Sequence, residues 1–233
     1  PVVLYGEGGG GRPGDTERLG VTGLDVPTFA QFASLSGLVP LVGVVSGYCF
    51  AGNAALIGCC DVIIATQNVS LGMGGPAMIE GGGLGVYRPE EVGPARFQTT
   101  NGVIDILVAD EIEATLVAKK YLSYFQGATR DWTAPDQRLL RRAIPENRLR
   151  VYDIRAVIET LADSGSFLEL RPHFGVGIVT FWYSDSLCGW YKYCLELLSS
   201  ACVAKNASVR QNGFPCGRVR KNSSASFSFF CVT

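Results

Sequence analysis

The sequence holds a single histidine, His173, and two methionines in 233 residues, and none of its eight cysteines stands in a Cys-x-x-Cys pair. One histidine completes no zinc site at a familiar spacing and, placed after a linker-like stretch, serves no Ser-His-Asp triad, so metal chemistry and triad hydrolysis are both disfavoured. Cys49, Cys59 and Cys60 lie in a small-residue apolar segment where free cysteine packs as a small hydrophobe, and the other five all follow residue 187. A disulfide scaffold is therefore not the expectation.

Long uninterrupted apolar runs are missing too. Residues 37–65 are broken by Pro40, Ser46, Asn53, several glycines and Asp61, which reads as strand, turn and buried helix rather than a membrane span. A net charge of −1 gives no electrostatic reason to expect nucleic acid or an anionic membrane. The glycines between Gly8 and Gly14 lack the Lys and Ser/Thr of a phosphate-cradling P-loop. There is no initiator methionine, and Pro1-Val2-Val3-Leu4-Tyr5 already resembles a buried strand, so the chain is expected to begin inside a domain.

What is present is 47% hydrophobic residues, enough for a core, and 29 glycines. The character of the chain changes near residue 180. Residues 1–180 carry 14 Lys+Arg and 19 Asp+Glu, a charge of −5, whereas residues 181–233 carry 6 and 2, a charge of +4. The second stretch is aromatic, Ser- and Cys-rich, and lacks sustained periodicity, so it reads as a frameshifted or read-through tail, with a basic interaction tail as the alternative.

Within residues 1–180 the pattern alternates between strand and helix. A strand over residues 1–6 runs into a glycine-rich loop, and a helix follows over 25–37 with Phe29, Phe32, Ala33 and Leu35 available for a buried face. A strand over 38–46, a turn over 47–52, a helix over 53–59 and a strand over 61–66 give a strand-helix-strand unit of an α/β fold. A glycine-rich region spans 72–93, a long helix 110–125, a linker 127–147, a further helix 153–162 and a short strand 166–170.

The turn Gly47-Tyr48-Cys49-Phe50-Ala51-Gly52 is the most informative site. Small residues at a strand-to-helix junction let backbone N–H groups converge on one oxygen, the geometry that stabilises a developing enolate on a thioester carbonyl. The same turn also occurs as a purely structural element.

Four segments taken in order resemble the carboxyltransferase of biotin-dependent acyl-CoA carboxylases: Glu7-Gly8-Gly9-Gly10-Gly11-Arg12-Pro13-Gly14-Asp15; Gly47-Tyr48-Cys49-Phe50-Ala51-Gly52-Asn53-Ala54-Ala55-Leu56; Gly72-Met73-Gly74-Gly75-Pro76-Ala77-Met78-Ile79-Glu80-Gly81-Gly82-Gly83; and Tyr121-Leu122-Ser123-Tyr124-Phe125-Gln126-Gly127. Ile144-Pro145-Glu146-Asn147, Tyr152-Asp153-Ile154-Arg155 and Gly165-Ser166-Phe167-Leu168-Glu169-Leu170 resemble the opening of that family's second domain. The resemblance implies a crotonase-like (ClpP/crotonase) α/β fold of repeated ββα units, truncated here. It implies an N-terminal domain over 1–130, a linker over 131–150, the beginning of a second domain over 151–180 and an atypical tail over 181–233.

The resemblance further implies carboxyl transfer from carboxybiotin, on a biotin carboxylase or carrier subunit, to an acyl-CoA through a thioester enolate, within a homo-oligomer. It implies a cytoplasmic site, or the mitochondrial matrix in a eukaryote. Mapped by motif, the Ala51 and Gly52 N–H groups hold the thioester oxygen. Gly47, Gly74, Gly75, Pro76, Met78, Ile79 and Gly82 contribute to substrate binding, the bulky Met78 and Ile79 with nearby Leu84 limiting the chain accepted, with an ordinary surface loop as the alternative for 74–83; Arg12, a charged fork beside a glycine-rich loop, suits a CoA phosphate, with an isolated surface arginine as the alternative. The biotin-side hole belongs to sequence beyond residue 180, which has no matching glycine turn, so the chain alone is expected to be inactive. The alternatives are a hydratase or isomerase using Glu80, Glu90 or Glu91 as acid or base, and a non-catalytic CoA-binding or assembly module.

Overall fold

The computed structural model describes residues 1–10, 27–127, 133–147, 149–176 and 181–183. The sequence readings at Arg12, across the rest of the first glycine loop and along the tail from residue 184 fall outside the described residues. The described chain divides into two compact units, one of Pro1–Phe125 and one beginning at Gln126.

The first unit is built on a parallel sheet. Strands β1 (Val2–Gly8), β2 (Leu41–Phe50), β3 (Val62–Thr66) and β5 (Ile106–Val108) lie side by side in that order, and β4 (Ser70–Gly72) pairs with the far end of β2. Helices α1 (Thr28–Ala33), α2 (Gly52–Gly58), α3 (Pro76–Gly81), α4 (Ala95–Thr100) and α5 (Glu111–Ser123) occupy the connections. The apolar runs of β2 and β3 reflect their central place. Residues 41–45 and all of β3 are buried, as strands covered on both faces must be. A core of Val45, Cys49, Ile57, Ala65, Leu71 and Ile104 fills the space beneath α2.

Two aspartates fix the register of the parallel strands. Asp61, just ahead of β3, donates its N–H to the Leu41 carbonyl at 2.8 Å while its Oδ2 accepts the Leu41 N–H at 2.8 Å. Asp105, just ahead of β5, repeats this with Ile63, at 2.9 and 2.7 Å. Each carboxylate closes the backbone groups that a strand entrance leaves open.

The strand-helix-strand expectation holds, with three differences of physical origin. β2 does not stop at Ser46 but continues to Phe50. Gly47, with φ 71°, sits where β1 advances from Gly6 to Gly8 while β2 advances from Val45 to Cys49, so it marks an irregularity in a strand and not its end. At this point β2 also exchanges β3 as neighbour for β4. The helix expected over 25–37 is shorter, and none of its residues is buried. Phe29, Phe32 and Leu35 are half-buried and Ala33 is exposed, because this helix packs on α2 and not on the sheet. The glycine region 72–93 contains α3, opened by Gly75 with Pro76 in its first turn, where proline's missing N–H costs nothing.

α5 forms as the sequence predicts. Asp110 caps it by accepting the Glu113 N–H at 2.8 Å, and Ala114, Ala118 and Tyr121 are its buried face.

In the second unit, a short helix α6 (Leu140–Ala143) falls within the expected linker. Helix α7 (Ile154–Leu161) is capped by Asp153, and strand β6 (Leu168–Leu170) pairs antiparallel with β7 (Phe181–Tyr183). Trp182 of β7 is buried with Ile158 and Ala162, so regular structure continues past the change in composition at residue 180. Arg155 binds Glu169 through two nitrogens, at 2.9 and 2.6 Å, joining α7 to β6.

Two stability tests follow. Gly93 has φ 60°, and a Cβ there would overlap the Leu71 carbonyl, whose residue donates its own N–H to the Gly93 carbonyl at 2.9 Å. Gly93→Ala is expected to cost more than about 3 kcal/mol in urea unfolding, since strained backbone and a backbone clash add. Burial holds the Asp61 carboxyl above its ordinary value, with the Leu41 N–H acting against this. The folded chain thus takes up this proton more readily than the unfolded chain. Its stabilising contribution is complete below the ordinary carboxylate range and is lost as pH rises through the raised value. Asp61→Asn, which keeps an acceptor for Leu41, is expected to raise Tm at pH 7 by more than at pH 4, measured by thermal melts at both.

Candidate functional site

β2 ends in a turn whose conformation is unusual for its residue type. Ala51 adopts φ 53° and ψ −123°, and among the described residues the only other non-glycine with positive φ is Arg171. A side chain in this region costs of order 1–3 kcal/mol and persists only where the surroundings enforce it. Here they do. The Ala51 carbonyl accepts the Ala55 N–H at 3.0 Å, beginning α2, and the Ala51 N–H donates to the Gly72 carbonyl at 3.2 Å, extending the pairing of β2 with β4.

The two amides assigned to the site from sequence are therefore not equivalent. That of Ala51 is engaged by Gly72, whereas that of Gly52 opens a helix with no side-chain cap and no preceding turn to accept it. What Ala51 supplies is the reversal of direction with which α2 begins.

Two glycine segments distant in sequence meet at Phe50 and Ala51. A Cβ on Gly10 would come within 3.3 Å of the Ala51 Cβ and 3.5 Å of the Phe50 Cβ. One on Gly75 would come within 3.3 Å of the Gly9 carbonyl and 3.4 Å of Phe50. One on Gly52 would lie 2.9 Å from the Phe29 ring. Asn53 ties the first segment down by donating its side-chain amide to the Glu7 carbonyl at 2.9 Å. The glycines thus permit close backbone approach between these segments. The meeting of residues 8–10 with Gly75 and Ala51 was not legible in the sequence, because each contact spans tens of residues.

The remaining sequence-predicted residues distribute unevenly. Gly74 and Gly75 precede α3, and Pro76, Met78 and Ile79 lie on it. Gly82 ends it, with its N–H bonded to the Met78 carbonyl at 3.0 Å. Gly47 belongs to the irregularity in β2 and has open space around its α-carbon. Tyr48, unassigned in the sequence reading, stacks on Phe50 with ring centroids 6.3 Å apart and donates its hydroxyl to Glu90. This bond draws the Glu90 carboxyl below its ordinary value, and the Arg88 backbone N–H does the same for Glu91. Both are thus held as carboxylates by protein partners. Burial pushes the Cys49 thiol up to about 11 and the Cys60 thiol up to about 12, which removes them as nucleophiles near neutrality. Among the described residues no group of three His, Cys, Asp or Glu side chains is placed to hold a metal ion, and no helix is long and apolar enough to cross a membrane.

A family model described as the carboxyl transferase domain matches residues 2–182. The chain belongs to that family. It is 28% identical over 191 residues to the methylmalonyl-CoA carboxyltransferase 12S subunit of Propionibacterium freudenreichii subsp. shermanii, covering 77% of this chain and 36% of that protein. It is 29% identical to the propionyl-CoA carboxylase beta chain of Rhodococcus erythropolis, covering 77% of this chain and 39% of that protein. Among solved structures, a single-chain, multi-domain long-chain acyl-CoA carboxylase superposes with a TM-score of 0.76 at 58% identity, over 84% of this chain and 19% of that one. The transcarboxylase 12S crystal structure, a hexamer with methylmalonyl-CoA bound, gives a TM-score of 0.59 at 26% identity, over 69% of this chain and 33% of that one. The fold is accordingly the crotonase-like α/β fold of carboxyltransferase domains, and the chain spans about a third of the length of the curated relatives it matches.

The strain at Ala51 is open to test. Ala51→Gly removes the positive-φ penalty and is expected to leave the chain as stable or up to about 1 kcal/mol more stable in urea unfolding. Ala51→Val, β-branched at the same φ, is expected to cost more than about 2 kcal/mol.

Proposed function

We propose that the first unit is the acyl-CoA half-site of a biotin-dependent carboxyltransferase. The observation that carries this reading is the Phe50-Ala51-Gly52 turn, strained at Ala51 and walled by the glycines of residues 8–10 and by Gly75. It leaves a backbone donor beside a surface that only a slim ligand segment can approach. The Gly52 N–H accepts no rearrangement during reaction, so it stabilises the thioester oxygen more as that oxygen gains enolate charge than in the ground state. Ala51 contributes the turn, and its own amide stays with Gly72. Gly74, Gly75, Pro76, Met78, Ile79 and Gly82 border the acyl group.

The relatives named for propionyl-CoA, methylmalonyl-CoA and long-chain acyl-CoA carboxylation support the acyl-CoA class. In the complete reaction biotin supplies the carboxyl group, on a carrier outside this chain. A second strained turn suited to it would have to open a helix as Ala51 does. Arg171, the remaining non-glycine with positive φ among the described residues, precedes no helix. Among the described residues no second turn of this kind is present, and we place the biotin side of the reaction outside them. A hydratase reading needs a free carboxylate at the turn. Of its three candidates, Glu90 and Glu91 are engaged by Tyr48 and Arg88, which leaves that reading only Glu80, exposed on α3.

The direct test is calorimetric binding of propionyl-CoA and of its thioether analogue, which lacks the carbonyl oxygen. The thioester is expected to bind about 3- to 10-fold more tightly, the worth of one backbone hydrogen bond. Gly52→Ala, which sets a methyl against Phe29, is expected to weaken the thioester by about tenfold or more, with partial recovery on adding Phe29→Ala. Equal affinity for thioester and thioether, or binding of neither, contradicts the reading.

A further inference from the structure

Asn53 stands at the second position of α2, where asparagine is a weak helix former and where no side chain caps the helix. Its amide is used elsewhere, donated to the carbonyl of Glu7, 46 residues away, at 2.9 Å. Side chains on a helix tilt toward its N-terminus, so one at this position covers the ground ahead of the first turn. The end of β1 arrives there.

That end of β1 lies where its pairing breaks. The register with β2 runs regularly from Val2 on Leu41 to Gly6 on Val45, then jumps to Gly8 on Cys49, and Glu7 falls in the gap. Gly8 has φ 148°, a backbone that glycine adopts and L side chains rarely do, and a Cβ there would overlap the Asn53 side-chain nitrogen. The Asn53 amide therefore fills the space that a side chain at position 8 would need. Beyond it the Gly9 carbonyl lies against Gly75, and Gly10 lies against Ala51 and Phe50. One side chain on α2 thus holds the start of the segment that reaches the turn and residue 75.

We propose that Asn53 is a positioning residue of the acyl-CoA half-site: through the Glu7 carbonyl and the seat it makes for Gly8, it sets residues 8–10 against Phe50, Ala51 and Gly75. It acts through these glycines and touches no ligand itself. The bond to Glu7 lies near solvent, where water replaces either partner, so its loss costs the fold little while releasing residues 7–10 from the turn. Affinity is then more sensitive to Asn53 than stability is, since a small displacement of a site wall is enough to misplace the bound thioester. The inference rests on the acyl-CoA reading above and adds to it the residue that places one wall of the site.

The test is calorimetry of the 233-residue chain with propionyl-CoA and its thioether analogue, with thermal melts of every variant. Asn53→Ala, and Asn53→Asp, which keeps the shape without the donor, are each expected to lower propionyl-CoA affinity by about fivefold or more and to bring thioester and thioether within about twofold of each other. Gly8→Ala, whose methyl displaces the Asn53 amide, is expected to act alike. Added to Asn53→Ala it is expected to change affinity by less than about a further twofold, because the two substitutions break one contact. A lowered Tm with affinity and thioester preference unchanged is the mark of a purely structural role and overturns the inference alone. Loss of folding in both Asn53 variants overturns it too, since Asn53 is then a support of the fold, as do effects of Gly8→Ala and Asn53→Ala that add in full. If the unsubstituted chain binds neither ligand, or both equally, the acyl-CoA reading itself fails and takes the inference with it.

Discussion

The first unit depends on a single backbone constraint: β2 must run long enough to serve two successive neighbours and then reverse within one residue. β3 flanks its first half and β4 its second, with the irregularity at Gly47 between them. The pairing with β4 extends to the Ala51 N–H on Gly72, and the start of α2 takes the Ala51 carbonyl. Ala51 is therefore held from both sides in a conformation that costs an L-residue of order 1–3 kcal/mol, an amount small beside the buried strands that enforce it. Gly52 follows as the first residue of α2, without a side-chain cap, and Gly10 and Gly75 pack against Phe50 beside it.

Register matters for the same reason. If β3 slipped by one residue against β2, its side chains would exchange between its two covered faces, and β4, which follows it closely, would shift against Phe50 and Ala51. The two aspartates at the strand entrances, Asp61 on Leu41 and Asp105 on Ile63, hold this register with paired backbone and side-chain bonds. Their positions far from the turn make them structural supports of the site without being part of it.

Much of this was legible in the sequence because its causes are local. The apolar residues of 41–45 and 62–65 mark two strands, the acidic start of the pattern over 110–125 and the periodic residues of 153–162 mark α5 and α7, and the small residues after Phe50 locate the turn. What escaped had non-local causes. Gly47 carries the same local signal whether it ends a strand or kinks one, and only the pairing with β1 and β4 decides. β4 and β5 have three residues each, too few for periodicity to register. Phe29 looked like a core residue, but its ring packs against Gly52 and remains half-buried. The engagement of the Ala51 amide could not be read from its own segment, because its acceptor, Gly72, lies on another strand.

The most direct measurement of the proposed site is a crystal structure of the chain with bound propionyl-CoA. The account predicts the thioester oxygen at about 2.9 Å from the Gly52 nitrogen, with the Ala51 N–H still on the Gly72 carbonyl and the acyl carbons leading toward Gly75. A thioester bound away from this turn, or a Gly52 N–H donated to a protein acceptor, would contradict it.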